Sequence, residues 1–108
     1  MKMKTWIHSA LALVVSCSTA SGFAQSGERV AVFTKNQTNP FFVAMQEGAK
    51  EAAAASGVEL TVGSGKEEGD DQGQIDLIEQ AIAAGDAGIL ITPMSENVNA
   101  AIEKARAA

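Results

Sequence analysis

Residues 30–42 join a short apolar run to a polar loop and the start of a helix: Val30-Ala31-Val32-Phe33-Thr34-Lys35-Asn36-Gln37-Thr38-Asn39-Pro40-Phe41-Phe42. The apolar run is typical of a buried strand. Pro40 fixes φ at the first helical position, and Asn39 stands where an N-cap belongs. The loop therefore lies just beyond the carboxyl end of a strand, where open α/β sheets bind ligands. We take residues 35–42 as the candidate binding site.

The pattern of this loop also fits a plain connection between strand and helix. In that interpretation Asn39 only caps the helix, and both phenylalanines pack in the core. Phe41 falls on the apolar stripe predicted for the helix, which favours the plain connection for that residue. Phe42 is one position further, about 100° around the helix, and need not pack in the same way. The residues alone leave both interpretations open.

Helices and strands alternate along the rest of the chain. Helix one is predicted from Pro40 to about Ser56, with Gly57 as its C-terminal cap. Its predicted core stripe is Phe41, Ala44, Met45, Gly48, Ala49, Ala52 and Ala55, with Gly48 allowing close approach to the sheet. The opposite, solvated face is predicted to hold Gln46, Glu47, Lys50 and Glu51.

Two further strand–helix pairs follow. Residues 58–62 alternate apolar and polar, as in a strand near a sheet edge. Helix two is predicted to be capped by Asp70 or Asp71, to bury Ile75, Ile78, Ala81 and Ile82, and to end at Gly85. Residues 87–92 are almost wholly apolar, which predicts a third strand buried on both faces. Helix three is predicted to start near residues 95–97 and to bury Val98, Ala101, Ile102 and Ala105.

The order βαβαβα predicts an α/β fold, a three-layer doubly wound parallel sheet with helices on both faces. The expected strand order is 2-1-3, as in the flavodoxin-like half of such folds. The sequence stops at Ala108 within helix three, with no C-terminal glycine and no following strand. We therefore expect the front part of a longer protein.

Residues 1–24 have the features of a signal peptide. Lys2 and Lys4 form a positive segment, an apolar stretch follows, and Gly22-Phe23-Ala24 offers a cleavage site after Ala24. The apolar stretch is too short to span a membrane. An exported, periplasmic protein is expected, with residues 25–108 as its mature part. A lipid anchor through Cys17, which follows Val14-Val15-Ser16, is the alternative.

The composition of the mature part excludes several classes of function. Without Lys2 and Lys4 it carries six basic residues against 13 acidic ones, a net charge of −7, which argues against binding nucleic acid. The only histidine and the only cysteine of the sequence, His8 and Cys17, lie before Ala24, so the mature part has neither. No disulfide framework, thiolate metal cluster or histidine-based catalysis is therefore expected. We expect no enzyme, no metal and no cofactor.

The loop at Gly63-Ser64-Gly65-Lys66 is not a phosphate-binding motif. A P-loop would need glycine where Leu60 stands and Ser or Thr where Glu67 stands. A dinucleotide fingerprint would need glycine at Glu68. The acidic residues that follow lack the spacing of a calcium loop. A solvated turn leading to a helix N-terminus, which favours negative charge, is the expected structure.

The strand followed by Asn39-Pro40-Phe41-Phe42, together with Gly88-Ile89-Leu90-Ile91-Thr92-Pro93, resembles the type I periplasmic sugar-binding proteins of ABC importers. The ribose-, allose- and fructose-binding proteins are the most similar branch. Lys35 after the first strand, Gly65-Lys66 to Asp70, and Gln74 resemble the allose and fructose members. The resemblance covers residues 29–108, and it implies a partial N-terminal lobe of a two-lobed fold that closes on a sugar.

The resemblance implies a role for each candidate ligand-binding residue. Asn39 would bind a sugar hydroxyl, and Phe41 and Phe42 would form an aromatic wall. Lys35 would donate a charge-assisted hydrogen bond. Thr92 stands where ribose binders carry asparagine. The implied partners are a monosaccharide and a membrane permease, with a chemoreceptor as a further partner.

Two other classes of function use a similar fold. An exported flavodoxin-like enzyme or redox domain would need a phosphate-binding loop rich in Ser, Thr and Gly after strand one, which residues 35–40 do not supply. A sugar-sensing repressor would begin with a helix-turn-helix in place of a signal peptide. A sugar-sensing, receptor-docking role stays compatible with the transporter interpretation.

Overall fold

The computed structural model describes residues 27–108. The predicted signal peptide, its cleavage after Ala24 and the alternative anchor at Cys17 lie outside these residues. The described chain runs β1 (Arg29–Thr34), α1 (Pro40–Ser56), β2 (Glu59–Ser64), α2 (Asp71–Ala84), β3 (Gly88–Ile91) and α3 (Asn99–Ala107), with a 3₁₀ turn at Glu96–Val98 before α3. The predicted order βαβαβα is confirmed.

The three strands form one parallel sheet in the order β2-β1-β3. Val32 in β1 lies opposite Val62 on one side and Leu90 on the other. The predicted strand order is therefore confirmed. Parallel pairing requires a crossover between consecutive strands, and α1 and α2 supply it. All three strands point their carboxyl ends to the same edge of the sheet.

The side chains of β1 point alternately to the two helical layers, because successive residues of a strand point to opposite faces of the sheet. Ala31 and Phe33 lie on the face covered by α2 and α3. Thr34 points to the other face, where Gln46 of α1 donates from Nε2 to its Oγ1 at 2.7 Å. The first face carries the main core, built from Ala31, Phe33, Ile78, Ala81, Met94, Val98 and Ala101. The predicted three layers are confirmed.

The buried stripes of α2 and α3 agree with the sequence pattern. In α2, Ile78 and Ala81 are buried, and Ile75 and Ile82 pack beside them. At α3, Val98 in the preceding turn and Ala101 are buried, with Ile102 and Ala105 packed against the same cluster. Period 3.6 therefore identified both faces correctly.

The buried face of α1 differs from the prediction by one position. Phe42 and Gln46 are buried, whereas Phe41 is 65% exposed. Alanines occur on every side of α1, so apolar content does not select a face. The buried amide of Gln46 is accommodated because it has a hydrogen-bond partner in Thr34. A Cβ at Gly48 would have no atom within 4 Å, so the predicted close approach to the sheet is also wrong.

The third strand is not buried on both faces. Leu90 is 60% exposed. By register it shares a face with its neighbour Val32, which is buried. The contacts of α1 are with β1 and β2, so this helix does not extend over β3. The apolar run correctly predicted a strand, but it did not reveal which of its faces is covered.

The predicted caps are in place. Asn39 Oδ1 accepts from Phe41 N at the start of α1, and Asp70 caps α2. Gly57 and Gly85 end these helices with φ of 74° and 72°, a left-handed conformation in which glycine avoids the Cβ clash. Within residues 27–108, none of the helices has both the length and the apolar character to cross a membrane.

The cap at Asp70 predicts a pH dependence of stability. Its Oδ2 accepts from Lys66 N and its Oδ1 from Gly73 N, both at 2.9 Å. These bonds, with that of Lys66 the larger, favour the charged form and lower the pKa of Asp70 below its ordinary value. The contribution is present above the unfolded-state pKa and is lost as the pH falls through the folded-state pKa.

We expect Asp70→Asn to flatten the acid part of the stability profile, because Asn still caps the helix but does not titrate. Thermal unfolding followed across acidic pH measures this. Asp76→Asn, on the exposed side of the same helix, is the matched control for the loss of one negative charge. Equal acid slopes in the wild type and in Asp70→Asn would contradict the prediction.

Candidate functional site

The loops that follow β1 and β3 meet at the carboxyl edge of the sheet. Thr92 N donates to Phe33 O at 2.9 Å, which continues the pairing of the two strands beyond Ile91. Lys35 directly follows β1, and Asn39 ends the loop at the start of α1. The fold therefore brings Lys35, Asn39 and Thr92 to one edge, the usual ligand-binding place of an open α/β sheet.

The β1–α1 loop is shaped by Asn36, a buried residue that the sequence analysis did not single out. Its Oδ1 accepts from Thr38 N at 3.1 Å and from Asn39 N at 2.8 Å. This is the local turn that an asparagine side chain forms with backbone two or three residues on. An asparagine two residues into a loop was the available signal. The side chain of Asn36 thereby fixes where Asn39 enters the helix.

We expect Asn36→Ala to lower the free energy of unfolding by about 1–3 kcal/mol, because two backbone N–H groups lose their acceptor. Asn36→Asp keeps an acceptor oxygen at the same place and should retain most of the stability. Denaturant unfolding of both variants measures the difference. An equal loss in the two variants would show that the acceptor is not what holds the loop.

Asn39 uses one end of its side chain for the fold. Oδ1 accepts from Phe41 N at 3.0 Å, which caps α1 and fixes the orientation of the amide group. Asn39 is exposed. Nδ2, with two hydrogens, is the end of the amide that is left to donate to a ligand. The arrangement gives Asn39 a capping role and an oriented hydrogen-bond donor at the sheet edge.

The two phenylalanines have different environments. Phe41 is 65% exposed, whereas Phe42 is 7% exposed. Their ring centroids are 5.3 Å apart with the planes at 76°, an edge-to-face contact that aromatic pairs favour. Phe42 is thus anchored in the protein and supports Phe41. The aromatic ring that is exposed at the start of α1 is therefore that of Phe41.

Lys35 and Thr92 are both half-buried at the same edge. Thr92 Oγ1 lies 3.7 Å from Met45 Sδ, at the weak hydrogen-bond distance of a thioether. Its backbone carbonyl accepts from Gln74 Nε2 at 2.9 Å. All five predicted ligand-binding residues therefore lie at or next to this edge, although Phe42 is mostly covered.

An open polar groove lies between the β1–α1 loop and the β2–α2 loop. One wall is formed by Asn36, Thr38, Asn39 and Pro40, and the other by Lys66, Glu67 and Glu68. The sequence analysis interpreted the second loop as a solvated turn. The three residues of its groove wall are exposed, as expected, although Gly63 and Gly65 before them are buried, and the wall stands across the groove from Asn39. Sequence spacing alone gave no signal of this proximity.

Two buried glutamines support these loops from the interior of the protein. Gln74 donates from Nε2 to the carbonyls of Thr34 and Thr92, and its Oε1 accepts from Met94 N. Gln46 binds Thr34 Oγ1, which in turn donates to Asn36 O at 3.0 Å. Neither role was predicted from the sequence, and Gln46 was expected on the solvated face, because a polar helical residue is mostly exposed.

The groups gathered at this edge are suited to holding a small polar molecule. Residues 27–108 contain no group of three His, Cys, Asp or Glu side chains placed to hold a metal ion. An exposed aromatic ring, an oriented amide and a lysine at one sheet edge are the groups with which a protein binds a small polar molecule.

Comparison with known proteins identifies relatives of this chain. Residues 30–108 match the periplasmic binding protein domain family. The D-allose-binding periplasmic protein of Escherichia coli K12 is 35% identical over 89 residues, which cover 82% of this chain and 28% of the relative. The D-apiose import binding protein of Paraburkholderia graminis is 34% identical over 106 residues, covering 97% of this chain and 33% of that protein. The chain spans about a third of the length of these relatives.

Two solved structures share the fold. An ABC transporter solute-binding protein from Burkholderia multivorans, with an unknown ligand interpreted as α-D-erythrofuranose, has a TM-score of 0.68 and 32% identity, covering 72% of this chain and 29% of its own. A periplasmic solute-binding protein from Actinobacillus succinogenes with bound D-allose has a TM-score of 0.69 and 27% identity, covering 74% and 28%. The resemblance predicted from the sequence is confirmed, and the chain belongs to the periplasmic binding protein family.

Proposed function

We propose that the full-length protein is the substrate-binding component of an ABC importer and captures a monosaccharide in the periplasm for delivery to a membrane permease. The observation that carries the proposal is the pairing of Asn39 with Phe41 at the start of α1. The amide is oriented by its own capping bond, and the ring beside it is exposed. The relatives named above, an allose-binding and an apiose import binding protein, support a sugar as the ligand class.

Each residue of the site offers one kind of contact to a sugar. Phe41 presents an apolar ring face to the C–H side of the sugar, and Phe42 supports it from below. Asn39 Nδ2 donates to a hydroxyl. Lys35 adds a charge-assisted hydrogen bond, and Thr92 supplies a hydroxyl from the neighbouring strand end. Concave sites with apolar walls and a few fixed polar groups suit small uncharged ligands.

A second lobe would supply the remaining contacts. The chain spans about a third of its relatives, and the residues above form one side of a site. Each missing hydrogen bond to a charged group is worth about 1.5–3 kcal/mol, so residues 27–108 by themselves should bind weakly. Closure of two lobes on the sugar, delivery to a permease and docking to a chemoreceptor belong to the whole protein.

The start of α1 argues against the flavodoxin-like enzyme or redox alternative. Such proteins bind phosphate with backbone N–H groups at a helix N-terminus. Here Pro40 has no N–H, Phe41 N donates to Asn39 Oδ1, and Phe42 N donates to Asn39 O at 3.0 Å. The donors that would hold a phosphate group are already used within the loop. This supports a binding protein for an uncharged ligand over an enzyme that holds a phosphorylated cofactor.

Titration calorimetry of the full-length protein tests the proposal. D-allose, D-apiose, D-ribose and D-fructose form the panel, with flavin mononucleotide and a sugar phosphate as controls for the alternative class. We expect saturable one-to-one binding of at least one free monosaccharide. We expect no binding of flavin mononucleotide or of the sugar phosphate. Saturation by flavin mononucleotide, or by none of the sugars, would contradict the assignment.

A further inference from the structure

Gln74 is fully buried on α2, and all the hydrogen bonds of its side chain go to the backbone of two other segments. Nε2 donates to Thr92 O at 2.9 Å and to Thr34 O at 3.3 Å, and Oε1 accepts from Met94 N at 2.7 Å. Thr34 is the last residue of β1, and Thr92 and Met94 follow β3. One side chain therefore joins the two segments that carry the candidate ligand-binding residues.

We propose that Gln74 is a positioning residue of the sugar site, setting the spacing between the β1 and β3 loops; this rests on the proposed function. Packing alone does not explain a glutamine here, because burying an amide is costly unless every polar atom is paired. The three bonds meet that condition, and they satisfy backbone groups where the strands end and pairing between them ceases.

The link from Gln74 reaches the ligand-binding side chains in short steps. Thr34 O, one of its acceptors, belongs to the residue just before Lys35. Thr34 Oγ1 donates to Asn36 O, and Asn36 Oδ1 accepts from Asn39 N. On the other strand, Thr92 itself is held through its carbonyl. Lys35, Asn39 and Thr92 are thus all connected to the backbone positions that Gln74 fixes.

The packing around these bonds leaves little room for adjustment. Thr34 is fully buried, and Gln46 and Asn36 are nearly so. No buried side-chain N or O atom in the described residues lacks a hydrogen-bond partner. When a buried network is fully satisfied, loss of one member orphans its partners and displaces the groups they hold. A change at Gln74 should therefore be felt in both loops, although Gln74 itself is too deep to touch the ligand.

Gln74→Met in the full-length protein is the central variant, since methionine has a similar length and no amide. We expect its sugar affinity to fall about 10–100-fold, the range that loss of a supporting hydrogen bond causes in metal sites. Gln72→Met is the matched control, because Gln72 is exposed on the same helix and donates only to Asp76. Ile78→Val is a second control, which destabilises the same core without removing a hydrogen bond.

Affinity by calorimetry and stability by denaturant unfolding should be measured for all three variants. The proposal is supported if Gln74→Met loses much more affinity than Ile78→Val at comparable stability, while Gln72→Met binds as the wild type does. Affinity equal to that of Ile78→Val would overturn it, since the residue would then act only through stability.

Hydrogen exchange in the wild type gives a test that does not depend on the variant's folding. Saturating sugar should slow exchange of the Met94 amide, which donates to Gln74, more than that of the Gly85 amide at the far end of α2. An unchanged Met94 rate would overturn the proposal. If the wild type binds no sugar, the proposed function fails separately. Gln74→Met must then still shift the amide resonances of both loops, and their constancy would refute the positioning role itself.

Discussion

Phe42→Ala is expected to lower the free energy of unfolding by about 3–5 kcal/mol, the usual cost of removing a buried aromatic ring. Phe42 lies in the first turn of α1 and is only 7% exposed, so its removal leaves a cavity. Phe41→Ala should cost much less stability, since that ring is 65% exposed. It should instead weaken sugar binding by about tenfold or more, the effect of losing an aromatic anchor worth at least 1.4 kcal/mol.

The two neighbouring variants are each other's control. Denaturant unfolding and calorimetry on the full-length protein should separate them, with Phe42→Ala showing the stability loss and Phe41→Ala the affinity loss. Phe41→Leu extends the test, because it keeps apolar volume but removes the flat ring face. If Phe41→Ala bound sugar as the wild type does, the ring would be a support for the helix start and would have no role as the wall of a site.

Asn39→Asp is expected to separate the two functions of Asn39. Aspartate keeps an oxygen that can accept from Phe41 N, so the cap on α1 and most of the stability should survive. It has no equivalent of Nδ2, so the bond donated to a sugar hydroxyl is lost, and the hydroxyl can replace it only by turning its own O–H away from its other partner. We expect affinity to fall by about 1–3 kcal/mol, or roughly five- to 150-fold.

Asn39→Ala completes this comparison, because it removes both the cap and the donor. It should show the affinity loss together with a loss of about 0.5–2 kcal/mol in stability. Calorimetric titration and thermal unfolding of both variants give the two quantities independently. Wild-type affinity in both Asn39→Asp and Asn39→Ala would show that the donor does not contact the sugar, whatever happens to the stability.

The sequence predicted those features that depend on local chemistry. Caps at Asn39 and Asp70 and the glycine ends of the helices follow from which side chains bind backbone and which residues accept a positive φ. The strand order follows from the alternation of strands with crossover helices. These predictions need only neighbours in the sequence, which explains why they agree with the structure.

The features that were missed depend on what lies opposite a residue. The stripe of α1 was placed one residue off because its alanines are compatible with any face, and the partner of Gln46 is a strand residue 12 positions earlier. The side chain of Gln74 binds the backbone of Thr92 and Met94, which lie 18 and 20 positions further on. It also binds the carbonyl of Thr34, which lies 40 positions earlier. A polar helical residue gives no local sign of such bonds. The sequence placed the candidate ligand-binding residues at the carboxyl edge of the sheet, where the structure has them, but it did not reveal the network that supports them.

Leu90 and the outer edge of β3 have a practical consequence for work with this segment. Within residues 27–108, β3 pairs only with β1, so its other edge offers free backbone N–H and C=O groups beside an exposed apolar side chain. Such an edge is a template for pairing with another chain. A polypeptide limited to these residues should self-associate along β3 as its concentration rises. Charged substitution at Leu90 would keep it monomeric, and the carboxyl edge that carries Asn39 would be left unaltered for spectroscopy.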